Sequence, residues 1–207
     1  MKKILESEIK VILWDFDGVL LNSNSVRDYG FTEVLKEFPV DQVAELMTFH
    51  QKNGGLSRYV KFRFFFENIR KEPVSEREVQ EYATKYSDIM RKHLNNKDLL
   101  IKETNENIRK FHHTIMMHIV SGSDQEELRY LCNKLGLKNF FKSIYGSPRA
   151  KIDLVKMLIE SNQYNKSQCV LIGDSYNDYE AAKNNNIKFV AYNNPALEHL
   201  SDFIIKF

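Results

Sequence analysis

Residues Val11, Ile12, Leu13 and Trp14 are four apolar residues in a row, and they run directly into Asp15-Phe16-Asp17-Gly18. A strand-length stretch without polar alternation has to be covered on both faces, as a strand inside a parallel sheet is. The two carboxylates at its end pose a further constraint. Side chains alternate along an extended chain, so Asp15 and Asp17 are expected on one side while Phe16 turns into the packing. Two like charges about 4 Å apart repel by roughly 4 kcal/mol at an effective dielectric near 20. A turn accounts for Asp17-Gly18, because Asp bonds its own backbone and Gly accepts positive φ, but it leaves Asp15 unexplained. A cation or a shared proton would relieve the pair.

The rest of the chain repeats the apolar run. Strand-like segments are expected at Ile115–Val120, Phe140–Tyr145, Cys169–Ile172, Ile187–Tyr192 and Phe203–Ile205. Between them lie helical patterns at Asp124–Leu135, Lys151–Glu160 and Asp178–Lys183. Strands alternating with helices define an α/β fold, a Rossmann-like three-layer αβα core around a parallel sheet. From Asn22 to Asn96 the pattern is helical instead, with Val26–Glu37, Val40–Lys52, Ser57–Ile69 and Ser75–Leu94 separated by Pro39, Asn53-Gly54-Gly55 and Pro73. The expected organisation is a discontinuous core of residues 1–21 and 99–207 with an inserted α-helical cap domain at 22–98.

Composition narrows the partners. The 207 residues carry 30 basic and 28 acidic side chains, mixed along the chain for a net charge of +2, which asks for neither nucleic acid nor an anionic membrane. The opening MKKILESEIK contains two acids, and the apolar run after it is too short for a signal peptide, so a cytoplasmic location is expected. Cys132 and Cys169 lack metal-like spacing and read as buried free thiols. His112, His113 and His118 lie close in sequence without a zinc pattern, and His118 falls inside an expected strand.

In open α/β sheets, ligands bind beyond the carboxyl ends of the strands. There the chain delivers Asp15 and Asp17, then Ser121-Gly122-Ser123-Asp124 as an anion cradle, then a helix carrying Lys151, then Gly173-Asp174-Ser175-Tyr176-Asn177-Asp178. Four acids, a hydroxyl and a lysine at one rim suit phosphoryl transfer, since carboxylates are the ligands Mg²⁺ prefers. No glycine-rich loop ending in Lys-Ser/Thr is present, so the phosphate donor need not be ATP.

In order and spacing, Asp15-Phe16-Asp17-Gly18-Val19, Ser121 in VSGSD, Lys151 in AKIDL and the GDSYND stretch from Gly173 to Asp178 resemble the four motifs of the haloacid dehalogenase superfamily. The resemblance covers the whole chain, and the helical insert sits where that superfamily carries its first-position cap. It implies a phosphatase of the branch that includes phosphoglycolate phosphatase and β-phosphoglucomutase. Asp15 would be the nucleophile and Asp17 the acid and base, with Ser121 holding phosphate and Lys151 offsetting charge. It also implies Mg²⁺ held by Asp15, the main-chain carbonyl of Asp17 and Asp174, with Asp178 helping directly or through water. An aspartate at position 17 points to an oxygen leaving group, because dehalogenases and phosphonate-cleaving relatives lack it. Asn22 departs from the acid often found shortly after the first motif.

The insert contributes Asn53-Gly54-Gly55-Leu56-Ser57-Arg58, a helix-to-helix turn that lies over the active site in capped relatives. Gly54, Gly55 and Arg58, with Gly18 and Gly122, form the expected substrate-binding set, and Lys61 is a further candidate. The implied activity is Mg²⁺-dependent hydrolysis of a small phosphate ester, a sugar phosphate or a phosphoglycolate-like acid. The rivals are a phosphotransferase or mutase of the same fold and an inert binding protein. A mutase is expected to carry a histidine soon after the first motif, and Leu20 to Phe31 contains none.

Overall fold

The computed structural model describes residues 8–202. Its strands are β1 (Val11–Trp14), β2 (Met116–Asp124), β3 (Ser143–Ser147), β4 (Cys169–Gly173) and β5 (Lys188–Ala191). They form one parallel sheet in the order β3-β2-β1-β4-β5, with Trp14 in register with Ile119 on one side and Ile172 on the other. The central position of β1 explains why its four side chains are all buried. Ile12 and Trp14 enter one apolar cluster while Val11 and Leu13 enter the other, so one strand supplies both cores. Each such fully buried large apolar side chain contributes about 1.5–3 kcal/mol relative to exposure.

Helices cover both faces, as expected for the αβα class. After β2 comes α6 (Gln125–Lys134), which packs Leu128, Leu131 and Cys132 on the Trp14 side. The other face is covered by α7 (Lys151–Ser161) and α8 (Tyr176–Asn184), through Leu154, Val155, Leu158, Ala181 and Ala182.

The segment between β1 and β2 is helical throughout. It comprises α1 (Asn24–Val34), α2 (Val40–Lys52), α3 (Arg58–Phe64), α4 (Glu76–His93) and α5 (Lys102–Phe111). Ser57 caps α3 by accepting from the Val60 amide, and Ser75 with Glu78 forms a capping box for α4. Phe31 packs on Phe62 and Tyr86 with ring centroids 5.3 and 4.6 Å apart, which ties α1, α3 and α4 together. Phe62, Phe65 and Phe66 are all buried inside the insert.

Several boundaries differ from the expectation. The helix expected over Ser57–Ile69 changes to a π-helical turn at Phe65–Arg70, whose extra residue lets the adjacent Phe65 and Phe66 both be buried. β2 runs on past Val120 to Asp124 through a break in register with β3. α5 corresponds to no expected helix, and its buried face is partly polar. Thr104 and Asn105 donate to the carbonyls of Val19 at 2.7 Å and Leu20 at 2.9 Å, so hydrogen bonds replace apolar packing there. The strand expected at Phe203–Ile205 lies outside the described residues. Cys132 and Cys169 are buried free thiols, and His118 is buried with its ring nitrogens on Ser143 Oγ at 2.7 Å and Tyr164 Oη at 3.0 Å. No described helix is long and apolar enough to cross a membrane.

Candidate active site

The Asp15 amide donates to the Ile172 carbonyl at 2.9 Å, so sheet pairing continues one residue beyond β1 and fixes where the first carboxylate leaves the strand. Asp15 is 3% exposed, and Phe16 below it is fully buried. Gly18 then turns the chain at φ 72°, where a Cβ would stand 2.0 Å from Asp174 Oδ2. Only glycine satisfies both the angle and the approach, and this is what lets the β4 acid reach the β1 acid.

Carboxylate oxygens of Asp15, Asp174 and Asp178 lie within 4.8 Å of one another. One ammonium serves this group. Lys151, the first residue of α7 and itself buried, stands with its Nζ 2.8 Å from Asp15 Oδ1 and bonds Asp178 Oδ1. Ser175, the N-cap of α8, also holds Asp178 in a capping box, through its hydroxyl at 2.5 Å and its amide at 3.1 Å. The two Asp178 oxygens are thus both engaged, whereas the Asp174 carboxylate receives no hydrogen bond or ion pair from any described side chain; Asn194 Nδ2 bonds only its main-chain carbonyl, at 2.7 Å. Burial, with Asp178 next to it, pushes Asp15 up to about 7 despite Lys151. Burial, with Asp15 beside it, pushes Asp174 up to about 8. Burial opposes charge on Lys151, but Asp15 and Asp178 outweigh it and raise its pKa. A cluster with more buried carboxylate than cation fits a divalent metal ion, which would stabilise the ionised form of Asp15 and Asp174.

Asp17 stands apart from that cluster. Its carboxylate accepts from Ser23 Oγ at 2.5 Å, Ser123 Oγ at 2.5 Å and Arg27 Nε at 2.9 Å. Burial works against its charge, but Arg27 and the two hydroxyls prevail and hold it below the usual carboxylate range. The expected conflict between Asp15 and Asp17 is therefore moved: Asp17 is neutralised by Arg27, and Asp15 conflicts with Asp174 and Asp178. As a metal ligand, Asp17 has only its main-chain carbonyl to offer while its carboxylate is held this way.

Ser121 and Gly122 lie on the same cavity as Asp15, Asp17 and Asp174, a space of about 480 Å³. Gly54 and Gly55 line it from the insert. The Gly55 carbonyl accepts from Asn177 Nδ2 at 3.0 Å, and a Cβ on Gly122 would stand 2.0 Å from that same carbonyl. Backbone meets backbone at this seam, and these glycines are what permits it.

Arg58 also lines the cavity, yet its guanidinium is committed: Nη1 donates to Glu127 Oε2 at 2.5 Å and to Ser87 Oγ at 2.7 Å. Glu127, fully buried on α6, accepts from Arg27 Nη1 at 2.5 Å through its other oxygen. Burial raises Glu127, but Arg58 and Arg27 overcome it and lower the pKa. One acid of the sheet layer therefore holds two cations of the insert. Ser23, Arg27 and Glu127 were absent from the expected site, and Ser123, expected in the anion cradle, instead bonds Asp17. Two signals for them exist: Arg27 shares helical spacing with Phe31, and Glu127 stands on the apolar stripe of Leu128, Leu131 and Cys132.

An acid cluster at the carboxyl edge of a parallel sheet, roofed by an inserted helical unit, defines a hydrolase of the haloacid dehalogenase type. Residues 12–192 match the model of the haloacid dehalogenase-like hydrolase family, and the chain belongs to that family. Pyrophosphatase PpaX from Listeria welshimeri is 26% identical over 210 residues, covering 96% of this chain and 91% of that protein. CbbY from Rhodobacter sphaeroides, solved with xylulose-(1,5)bisphosphate, shares the fold with a TM-score of 0.74 at 15% identity, over 95% of this chain and 93% of the other. YfnB from Bacillus subtilis, bound to magnesium, aligns with a TM-score of 0.71 at 17% identity, over 96% and 95%.

Proposed function

We propose that the protein is a Mg²⁺-dependent phosphomonoesterase that hydrolyses a small phosphorylated metabolite, of the sugar-phosphate or phosphoglycolate type, through a phosphoryl group held on Asp15. The observation that carries this reading is the buried pair Asp15 and Asp174, short of positive charge, opening on the cavity that Ser121 and Gly122 share. When bound, Mg²⁺ would keep both carboxylates ionised and offset charge on the phosphoryl oxygens, held by Asp15, Asp174 and the main-chain carbonyl of Asp17. Asp178 then acts from behind, fixing Lys151 and the start of α8.

In the first step an Asp15 oxygen bonds phosphorus as the ester P–O bond breaks, and Asp17 gives a proton to the leaving alkoxide. In the second, Asp17 takes a proton from water as its oxygen attacks phosphorus, and the bond to Asp15 breaks. Lys151 balances the charge on Asp15 throughout, and Ser121 with its neighbouring amides holds the phosphoryl oxygens. Arg27, Ser23 and Ser123 favour the carboxylate form of Asp17, which suits the base of the second step. For the first step Asp17 must carry a proton against those three partners.

On the same reading residues 22–98 act as a cap over a core of 1–21 and 99–207, excluding water and large substrates. The Listeria relative is named a pyrophosphatase and CbbY was captured with a sugar bisphosphate, which supports a small phosphorylated substrate. The test is release of inorganic phosphate from para-nitrophenyl phosphate by the purified protein with Mg²⁺. Turnover that is lost on chelation and abolished by Asp15→Asn is expected; turnover unaffected by either would reject the reading.

A further inference from the structure

Lys61 is a buried cation of the insert with no described acid in contact with it. It is 3% exposed on α3 and lines the cavity, yet no carboxylate among the described residues pairs with it. Arg27 and Arg58, its cationic neighbours, are matched by Asp17 and Glu127. The partner of Lys61 Nζ is instead His50 Nδ1, at 2.7 Å. His50 Nε2 stands 2.9 Å from Asp28 Oδ1, and since a carboxylate can only accept, the ring proton belongs on Nε2 and Nδ1 accepts from Lys61. Phe31 backs the ring at 4.7 Å between centroids and also lies under the lysine, whose Nζ is 5.7 Å from its centroid. The chain Asp28–His50–Lys61 therefore fixes the ammonium without bringing a carboxylate into contact with it.

A buried ammonium held by a neutral imidazole is costly unless an anion arrives. Burial, with repulsion from Arg27 and Arg58, pushes Lys61 down to about 7, although Asp17 and Asp28 attract its charge. His50, depressed to about 3 chiefly by burial, does not compete for the proton. Arg58, the other cation expected to meet substrate, already shares its charge with Glu127 and bonds Ser87 through Nη1.

We propose that Lys61, positioned by His50 and Asp28, binds a second anionic group of the substrate, a carboxylate or a further phosphate, remote from the phosphoryl group that reacts. This rests on the phosphomonoesterase reading and deepens it: the acids at the strand ends take one end of the molecule, and the insert selects for charge at the other.

The test compares matched esters with and without the second charge: phosphoglycolate against hydroxyethyl phosphate, and a hexose bisphosphate against the hexose monophosphate. In the wild type, kcat/KM is expected to favour the more anionic member of at least one pair. Lys61→Met should reduce that preference on the order of tenfold, which is about 1.4 kcal/mol, mainly through KM. Lys61→Arg should retain most of it. A loss equal for both members, or no loss, overturns the proposal. Calorimetric binding of the same pairs to Asp15→Asn protein with Mg²⁺ gives an answer independent of turnover. If no ester is hydrolysed, the phosphomonoesterase reading fails, while Lys61 is still judged by whether Lys61→Met erases the difference in affinity; equal affinities in the unmutated site reject it.

Discussion

Arg27 Nε donates to Asp17 Oδ1 at 2.9 Å, and the same guanidinium reaches Glu127 through Nη1 at 2.5 Å. A residue of the insert thereby sets the ionisation of the acid proposed to handle the proton, and does so while fastened to the sheet layer beneath. Position and protonation of Asp17 are consequently coupled.

That coupling has a direction. Arg27 lowers the pKa of Asp17, so Arg27→Gln should raise it. The alkaline limb of the kcat/KM profile, where the general acid is lost, should move to higher pH in the variant. A profile displaced only in height would show that Arg27 does not tune Asp17.

Glu127 is buried between Arg27 and Arg58, so its removal leaves Arg58 without an acid and Arg27 with Asp17 alone. Glu127→Gln should lower stability by about 3–5 kcal/mol, the usual result of breaking a buried ion pair from one side. Urea unfolding measures this from the midpoint at constant slope. A change within about 0.5 kcal/mol, as at an ordinary surface site, would mean that the network does not hold the insert to the sheet layer.

Asp15 and Asp174 have folded-state pKa values raised from 3.8 to about 7 and about 8. Without a metal ion the folded state keeps protons that the unfolded chain releases, so stability is expected to fall as pH rises from about 4 to about 8. A divalent cation binds the ionised acids, so the Tm gain from Mg²⁺ should grow over that same window. Asp174→Asn should remove most of the gain and flatten the pH dependence of the metal-free protein. A gain of equal size at both ends of the window would place the ion elsewhere.

A Cβ at Gly122 would meet the Gly55 carbonyl oxygen at 2.0 Å and its carbon at 2.9 Å, backbone atoms that cannot swing aside as a side chain would. Gly122→Ala should displace the Gly54-Gly55 turn and raise KM several-fold. Unchanged kinetics would mean that the seam opens freely.

How much of this was legible before folding depends on where each interaction lies in the chain. The sheet was readable because Val11–Trp14 and Cys169–Gly173 are buried on both faces and so carry apolar side chains at every position but the closing glycine. The acids Asp15, Asp17, Asp174 and Asp178 and the lysine Lys151 were readable because strand ends converge on one rim. α5 was not, since Thr104 and Asn105 bury polar groups against carbonyls that no periodicity reveals. The charge network was half legible. Arg27, Arg58, Lys61 and Glu127 all stand on apolar helical stripes, and a charge there needs a partner. Nothing local says which one: Arg27 and Arg58 find Glu127 100 and 69 residues away. This is why neither the bond from Arg58 to Glu127 nor the lack of a described acid in contact with Lys61 was legible.

The most direct measurement follows a single turnover of para-nitrophenyl phosphate by the Asp17→Asn variant with Mg²⁺. Nitrophenolate departs with little help from an acid, but the water of the second step has lost its base. A burst of nitrophenolate equal to the enzyme present, with a phosphoryl group recovered by mass spectrometry on Asp15, is the predicted result. Steady turnover at the wild-type rate with no phosphoryl group on Asp15 would contradict it.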